Sequence, residues 1–288
     1  MNAERALGLE PPTIIIRPSR AWVPLDLREF WAYRELLYFM VWGAVKVRYK
    51  QTILGAAWAI LQPFTTMVVF TLFFGNMAKI GSDDLPYPIF SYAGLLPWTF
   101  FANGLGQASN SLVGSANLLK KVYFPRLIIP ISSVLAGVVD FFLAFSVLFA
   151  MMAWYGVWPR AEILLLPLLL LLAFATALGV SLWLSALNVE FRDVRYVVPF
   201  FTQLWMFITP VIYPLSKVTA KLEELGLPEW LYGLNPMVAV VQGSRWILLG
   251  SQAPAPSTLA AGATVAAVLL VAGVFYFRRM EKSFADVA

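Results

Sequence analysis

Arg48-Tyr-Lys-Gln-Thr-Ile-Leu-Gly-Ala-Ala-Trp-Ala-Ile-Leu-Gln-Pro63 is the stretch on which the fold of this chain turns. A short basic and polar entry passes without a linker into an uncharged apolar run that ends near Met77. Gln62 and Pro63 lie one turn inside that run. About 20 apolar residues cross a bilayer core, so Trp58–Met77 is long enough to span one.

The rest of the chain obeys the same solvent. Of its 288 residues, 60% are hydrophobic and 13% charged, about half the charge of a soluble domain. It has no Cys and no His. That removes disulfides, thiol nucleophiles, Ser-His triads and metal ligation through those residues. No Gly-x-x-x-x-Gly-Lys-Ser/Thr run is present, so energy must come from a partner or a gradient. The first thirty residues hold Arg5, Arg17, Arg20 and Arg28 but no apolar core of signal-peptide length.

Six segments are apolar enough to span: Trp58–Met77, Tyr87–Leu105, Leu127–Tyr155, Ile163–Leu187, Tyr196–Leu215 and Thr258–Phe277. The second is the weakest, broken by Pro97 and several glycines. Lys and Arg set the orientation. With both termini inside, the inner side takes 16 of the 21 basic residues, leaving Lys79, Arg160, Lys217, Lys221 and Arg245 outside. Topology therefore accounts for the net charge of +5 without nucleic acid.

Leu36–Val45 is too short to span, and Leu27, Phe30, Trp31, Leu37 and Tyr38 before and within it share a face. An interfacial amphipathic helix on the inner leaflet is expected over residues 22–50, with Arg34 snorkelling or paired. Residues 1–21 form a cytoplasmic extension, and residues 51–288 one six-span domain. Ser216–Leu225 and Pro236–Leu249 are expected as two short helices at the outer face, since a seventh span would move Arg278, Arg279 and Lys282 outside.

Polar residues inside the spans form stripes. Trp58, Gln62, Thr65, Thr66, Phe73 and Asn76 share one helical face of the first span, and Thr202, Met206, Thr209 and Tyr213 one face of the fifth. Such faces turn to protein or to a water-filled path, not to lipid. Helix packing and a passage lined by rings and hydroxyls both satisfy that constraint. Asp140 is the only acid deep in a span, on a small-residue stripe with Ser133, Gly137 and Ala144. A structural pairing with a neighbouring helix is favoured there over a proton relay. In the inner loop, Leu118, Leu119, Val122, Tyr123 and Phe124 surround Lys120 and Lys121. A short helix made to dock on a soluble partner has this character.

Four motifs now stand in order along the chain: Arg48-Tyr-Lys-Gln-x-x-Leu-Gly-x-x-Trp-x-x-x-Gln-Pro63; Phe124-Pro-Arg-x-x-x-Pro130 followed by Asp140-Phe141; Asn188-Val-x-x-Arg-Asp193; and Pro210-Val-x-Tyr-Pro214 followed by Asn235-Pro236-Met237. Together, over some 220 residues, the chain resembles the polysaccharide-export branch of the ABC-2 permeases. The resemblance implies an all-α integral membrane protein of the cell inner membrane with six transmembrane helices and short gate helices between spans five and six. It implies a non-catalytic homodimer working with two copies of a cytosolic ATPase, which holds the ATP and Mg; this chain binds no cofactor or metal. It makes Leu118–Phe124 the coupling element and the first and fifth spans the lining. The implied cargo is a lipid-linked glycan, O-antigen ahead of teichoic acid and capsule.

Three other readings compete. An ABC-2 exporter of drugs or lipids shares the architecture, but the Arg48–Pro63 run and the aromatic stripes argue against it. A membrane glycosyltransferase would use outer acids, and Asp83, Asp84, Glu162, Glu223, Glu224 and Glu229 are available. A gradient-driven flippase would show more spans and internal repeats, and neither is found. The topology is testable because the chain has no native thiol. A cysteine at Ser82 should react with an impermeant thiol reagent in intact cells, and one at Ser115 or Ser283 should not. Outer labelling at Ser283 would require an odd number of spans.

Overall fold

The computed structural model describes residues 27–50, 54–281 and 284, and among these it is helical throughout, without a strand. The expected extension over residues 1–21 lies outside them. The order is α1 (Leu27–Ala32), α2 (Arg34–Tyr49), α3 (Ala57–Phe70) continued by a π-helix (Thr71–Met77), α4 (Tyr87–Gly114), α5 (Ala116–Lys121) and α6 (Ile128–Tyr155). A 3-10 turn (Ala161–Leu165) leads into α7 (Leu166–Glu190). Then come α8 (Val194–Ile208), α9 (Leu215–Glu224), α10 (Trp230–Gly233), α11 (Pro236–Leu249) and α12 (Pro256–Met280).

Four stretches are long and apolar enough to cross a membrane: Ala57–Met77, Ile128–Tyr155, Ala161–Glu190 and Pro256–Met280. They match the first, third, fourth and sixth expected spans. The two remaining segments differ for separate reasons. α4 is 28 residues long, about 42 Å at ~1.5 Å per residue, yet it is largely enclosed and packs on α3, α6, α7, α8 and α11. A helix covered by other helices needs no continuous lipid-facing apolarity, which is why its sequence signal is weak. α8 has only 15 residues. It stops at Ile208 because Thr209 adopts an extended backbone (φ −93°, ψ 140°) ahead of Pro210.

The N-terminal amphipathic segment is two helices, broken at Tyr33 (φ −93°, ψ 17°). α2 lies against α6 and leaves Tyr38, Phe39, Trp42 and Val47 exposed. Arg34 is paired, donating to the Trp31 carbonyl at 3.3 Å and lying 5.8 Å from that ring.

The largest departure is α11. Expected on the outer face, it is buried along 13 of its 14 residues and packs among α4, α7 and α12. Only α9 matches a surface helix expected there, with Leu215 its buried residue, and the short α10 was not foreseen.

α7 and α12 meet most closely at Gly179 and Gly273, just where the Trp183 and Tyr276 rings stack at 4.5 Å and 5°. A Cβ on Gly179 would stand 2.7 Å from the Leu270 backbone nitrogen, and backbone cannot move aside as a side-chain tip can. Close approach through small residues is how helices associate in lipid. Gly179→Ala should therefore cost about 1–3 kcal/mol through overpacking, read as a lower melting temperature of the purified protein. An unchanged melting temperature would mean that the helices separate freely.

Candidate functional site

At the α2 end of α3, a cavity of about 310 Å³ opens between α2, α3, α4 and α6. Its floor is a charge cluster. The Arg48 guanidinium pairs with the Asp140 carboxylate and donates to Gln107 Oε1, and the Tyr49 hydroxyl donates to the same carboxylate. Asp140 thus ties α6 to the end of α2, in keeping with the small-residue stripe that carries it. Trp58 and Gln62 line the cavity from α3, facing Thr99, Asn103 and Gln107 of α4.

The other residues of the first stripe are not part of this wall. Thr65 and Asn76 are exposed, and Phe73 is 54% exposed. Thr66 is half-buried, its hydroxyl donating to the Gln62 carbonyl at 2.9 Å. The π-helix breaks the expected register. From Thr71 onward the wider π turn replaces the α spacing, so Phe73 and Asn76 do not keep the register read from the sequence.

The second stripe is divided by the end of α8. Thr202 and Met206 are half-buried on the helix, with the Thr202 hydroxyl donating to the Val198 carbonyl at 2.7 Å. Thr209 and Tyr213 lie beyond it, within a polar joint. The Asn235 side chain accepts from Trp205 Nε1 at 2.9 Å and from the Met237 amide at 3.1 Å, and donates to Thr209 Oγ1 at 2.9 Å. The Tyr213 hydroxyl donates to the Phe207 carbonyl at 3.0 Å and lies 2.8 Å from the Tyr232 hydroxyl. One side-chain amide thereby caps α11 and fastens it to the end of α8.

Sequence reasoning missed the chief residue of that region. Arg245, expected on the outer side, is wholly buried. Nε donates to the Phe90 carbonyl at 3.1 Å, Nη1 to Pro210 at 2.5 Å and Nη2 to Val211 at 2.6 Å. Its Cζ lies 3.6 Å from the Phe90 ring centroid. Gly94 leaves the room: a Cβ there would meet Nη2 at 2.5 Å. The available signal was a lone cation within a 14-residue apolar helix, the kind of intramembrane charge that needs a partner.

The segment from Leu118 to Phe124 separates into two faces. Leu119 and Phe124 are core residues, 6% and 4% exposed, while Leu118, Val122 and Tyr123 face outward beside the exposed Lys120 and Lys121. The Tyr123 hydroxyl donates to Glu29 of α1 at 3.4 Å. Arg126 holds the other end, its amide donating to the Glu281 carboxylate at 3.3 Å and its guanidinium to the Glu281 carbonyl. Burial pushes the Glu281 carboxyl up from its ordinary value, against the pull of Arg278 and Arg126.

The family model for the ABC-2 type transporter matches residues 35–249, most of the chain, including the Arg48–Asp140, Asn235 and Arg245 joints. The chain belongs to the ABC-2 type transporter family. This ABC-2 chain is 32% identical to the O-antigen export system permease protein RfbA of Myxococcus xanthus over 261 residues, covering 90% of the chain and 98% of that relative. It is 25% identical to the protein of the same name from Klebsiella pneumoniae, over 88% and 95% of the two chains. With the polysialic acid transport protein KpsM of Escherichia coli it shares 24% identity over 83% and 91%.

The motifs of this ABC-2 chain fall at its joints. Asn188 donates to the Ser109 carbonyl and to Asn110 Oδ1, both at 3.0 Å, fixing α7 to α4. The Tyr87 hydroxyl takes the Ile212 carbonyl at 2.8 Å. The Arg48–Asp140 joint yields a stability test. Asp140→Ala strands a largely buried guanidinium and should cost about 2 kcal/mol, below the roughly 3–5 kcal/mol of a fully buried pair because both side chains keep some solvent. Adding Arg48→Met should recover most of the loss in a double-mutant cycle read by thermal unfolding. A further loss would show that Asp140 is not chiefly Arg48's counter-charge.

Proposed function

We propose that this chain is the membrane subunit of an ATP-driven exporter that carries a lipid-linked polysaccharide of the O-antigen class across the inner membrane. The carrying observation is the 32% identity over 98% of an O-antigen export permease. In this reading α4 and α8 complete a six-span domain with both termini cytoplasmic. α8 is continued by the extended segment 209–214 to make up its length. Two copies face each other and bind two copies of a cytosolic ATPase, where ATP and Mg are held.

The unpartnered aromatic faces of α3 and α8 support a paired passage. Trp58, Phe64 and Phe73 on one, and Phe200, Phe201 and Phe207 on the other, are exposed in a single chain. Trp58, Gln62, Thr65, Thr66, Phe73 and Asn76, with Thr202 and Met206, would line that passage, and Thr209 and Tyr213 would hold its outer end. Ring faces stack on sugar C–H faces while amides and hydroxyls exchange hydrogen bonds, so a glycan can slide. Leu118, Val122 and Tyr123 between the exposed lysines form the surface offered to the ATPase. No residue of the chain acts as a catalyst.

Two measurements test this. Purification of the tagged chain should bring down an ATPase with a nucleotide-binding loop, and cells lacking the chain should retain polymer inside. Tyr123→Ala should weaken ATPase binding by about 2 kcal/mol and leave insertion and melting temperature unchanged. Phe124→Ala should instead destabilise the chain itself, by about 3–5 kcal/mol for a core ring. Normal ATPase binding and export by Tyr123→Ala would remove the docking role from this loop.

A further inference from the structure

The cavity over the Arg48–Asp140 pair has a chemical selectivity that a mere packing defect would lack. Thr99, Asn103 and Gln107 recur every fourth residue on α4 and so stand on one face. Trp58 and Gln62 repeat the same spacing on α3, and both rows line the cavity. The side chains of Gln62, Thr99 and Asn103 make no hydrogen bond to another described residue. The Trp58 ring is 57% exposed. Donors and acceptors therefore stand unused beside an open aromatic face. Gln62 is exposed and Thr99 and Asn103 are half-buried, so these groups are within reach of a bound solute.

The charge of the cavity narrows the ligand. Among the described residues that line it, the formal charges are Arg48 and Asp140, and they neutralise each other. A phosphate or carboxylate would need a free cation, but Arg48 is committed to Asp140 and Gln107. A lipid tail would bury the three polar side chains without partners. Carboxamides donate and accept at once, as sugar hydroxyls do. The volume of about 310 Å³ is at the small end of ligand pockets, which span about 300 to 1,000 Å³. It suits a short segment of a chain, not a coil.

We infer that this cavity is a subsite for an uncharged sugar residue of the exported glycan, stacked on Trp58 and hydrogen-bonded by Gln62, Thr99 and Asn103. It rests on the export function proposed above and adds to it a preference for neutral over acidic sugars at this point of the path.

The test uses the full chain with its ATPase in native membranes. Since the chain has no Cys, Ala59→Cys places one thiol in the cavity wall without touching a proposed contact, and Asn117→Cys places one on an exposed control position. Maleimide labelling is timed with an uncharged oligosaccharide cut from the polymer retained in cells lacking the chain, and with a sialic acid tetramer. The neutral probe, at about twice its dissociation constant, should slow labelling at Ala59→Cys about three-fold by simple mass action and leave Asn117→Cys unchanged. The sialic acid tetramer should alter neither. Trp58→Ala or Asn103→Ala in the Ala59→Cys chain should erase the protection while the melting temperature holds. The subsite is overturned by absent protection, by equal protection from the tetramer, by protection that survives both substitutions, or by a polymer with no uncharged sugar. If no polymer is retained, export of a polysaccharide is refuted, and the subsite with it.

Discussion

A guanidinium sealed from water needs a partner at each nitrogen, and Arg245 meets that demand by joining two carbonyls freed at the end of α8 to one inside α4. Pro210 and Val211 follow the end of α8, so their carbonyls have no helical donor; Nη1 and Nη2 supply one at 2.5 and 2.6 Å. Nε takes the Phe90 carbonyl one turn inside α4. Away from water, irregular backbone persists only where protein satisfies it. The planar fork of arginine spans several carbonyls at fixed angles, which the single ammonium of lysine cannot do. The burial of α11, the turn after α8 and the seat of Gly94 all follow from this one cation.

Asn235 completes the joint. It caps α11, receives the Trp205 indole and holds the Thr209 hydroxyl, so the two ends of the 209–235 segment meet at one amide. α9 is then free to lie largely exposed at the surface while its flanks are fixed.

The helices fall into two groups by what covers them. α4, α7 and α11 are enclosed by small residues and short polar contacts within the chain. α3 and α8 instead present large rings that nothing in one chain covers. The same α3 supplies Trp58 and Gln62 to the inner cavity, whose floor joins α2 to α6 through Arg48 and Asp140. The segments with fewest internal partners are thus α3 and α8, and the most tightly joined ones are α4, α7 and α11.

Apolar run length by itself determined that this chain is a helical membrane protein, and it located the four spans that meet lipid with least interruption. The basic entry before Trp58 and the order of the joint motifs likewise placed it in its family, because those residues answer to local backbone needs that any fold of this kind repeats. Tertiary structure alone decided the rest. The π-helix after Phe70 and the stop at Ile208 interrupt both polar stripes, and neither has a periodicity signal. α11 reads as a surface helix from its length and its cation, yet carbonyls 34 to 155 residues away make it core. Leu119 and Phe124 differ from Leu118 and Tyr123 only in which side of a short loop packs on the bundle. Such outcomes depend on partners distant in sequence, and hydrophobic pattern records only that a residue avoids water, not what shields it.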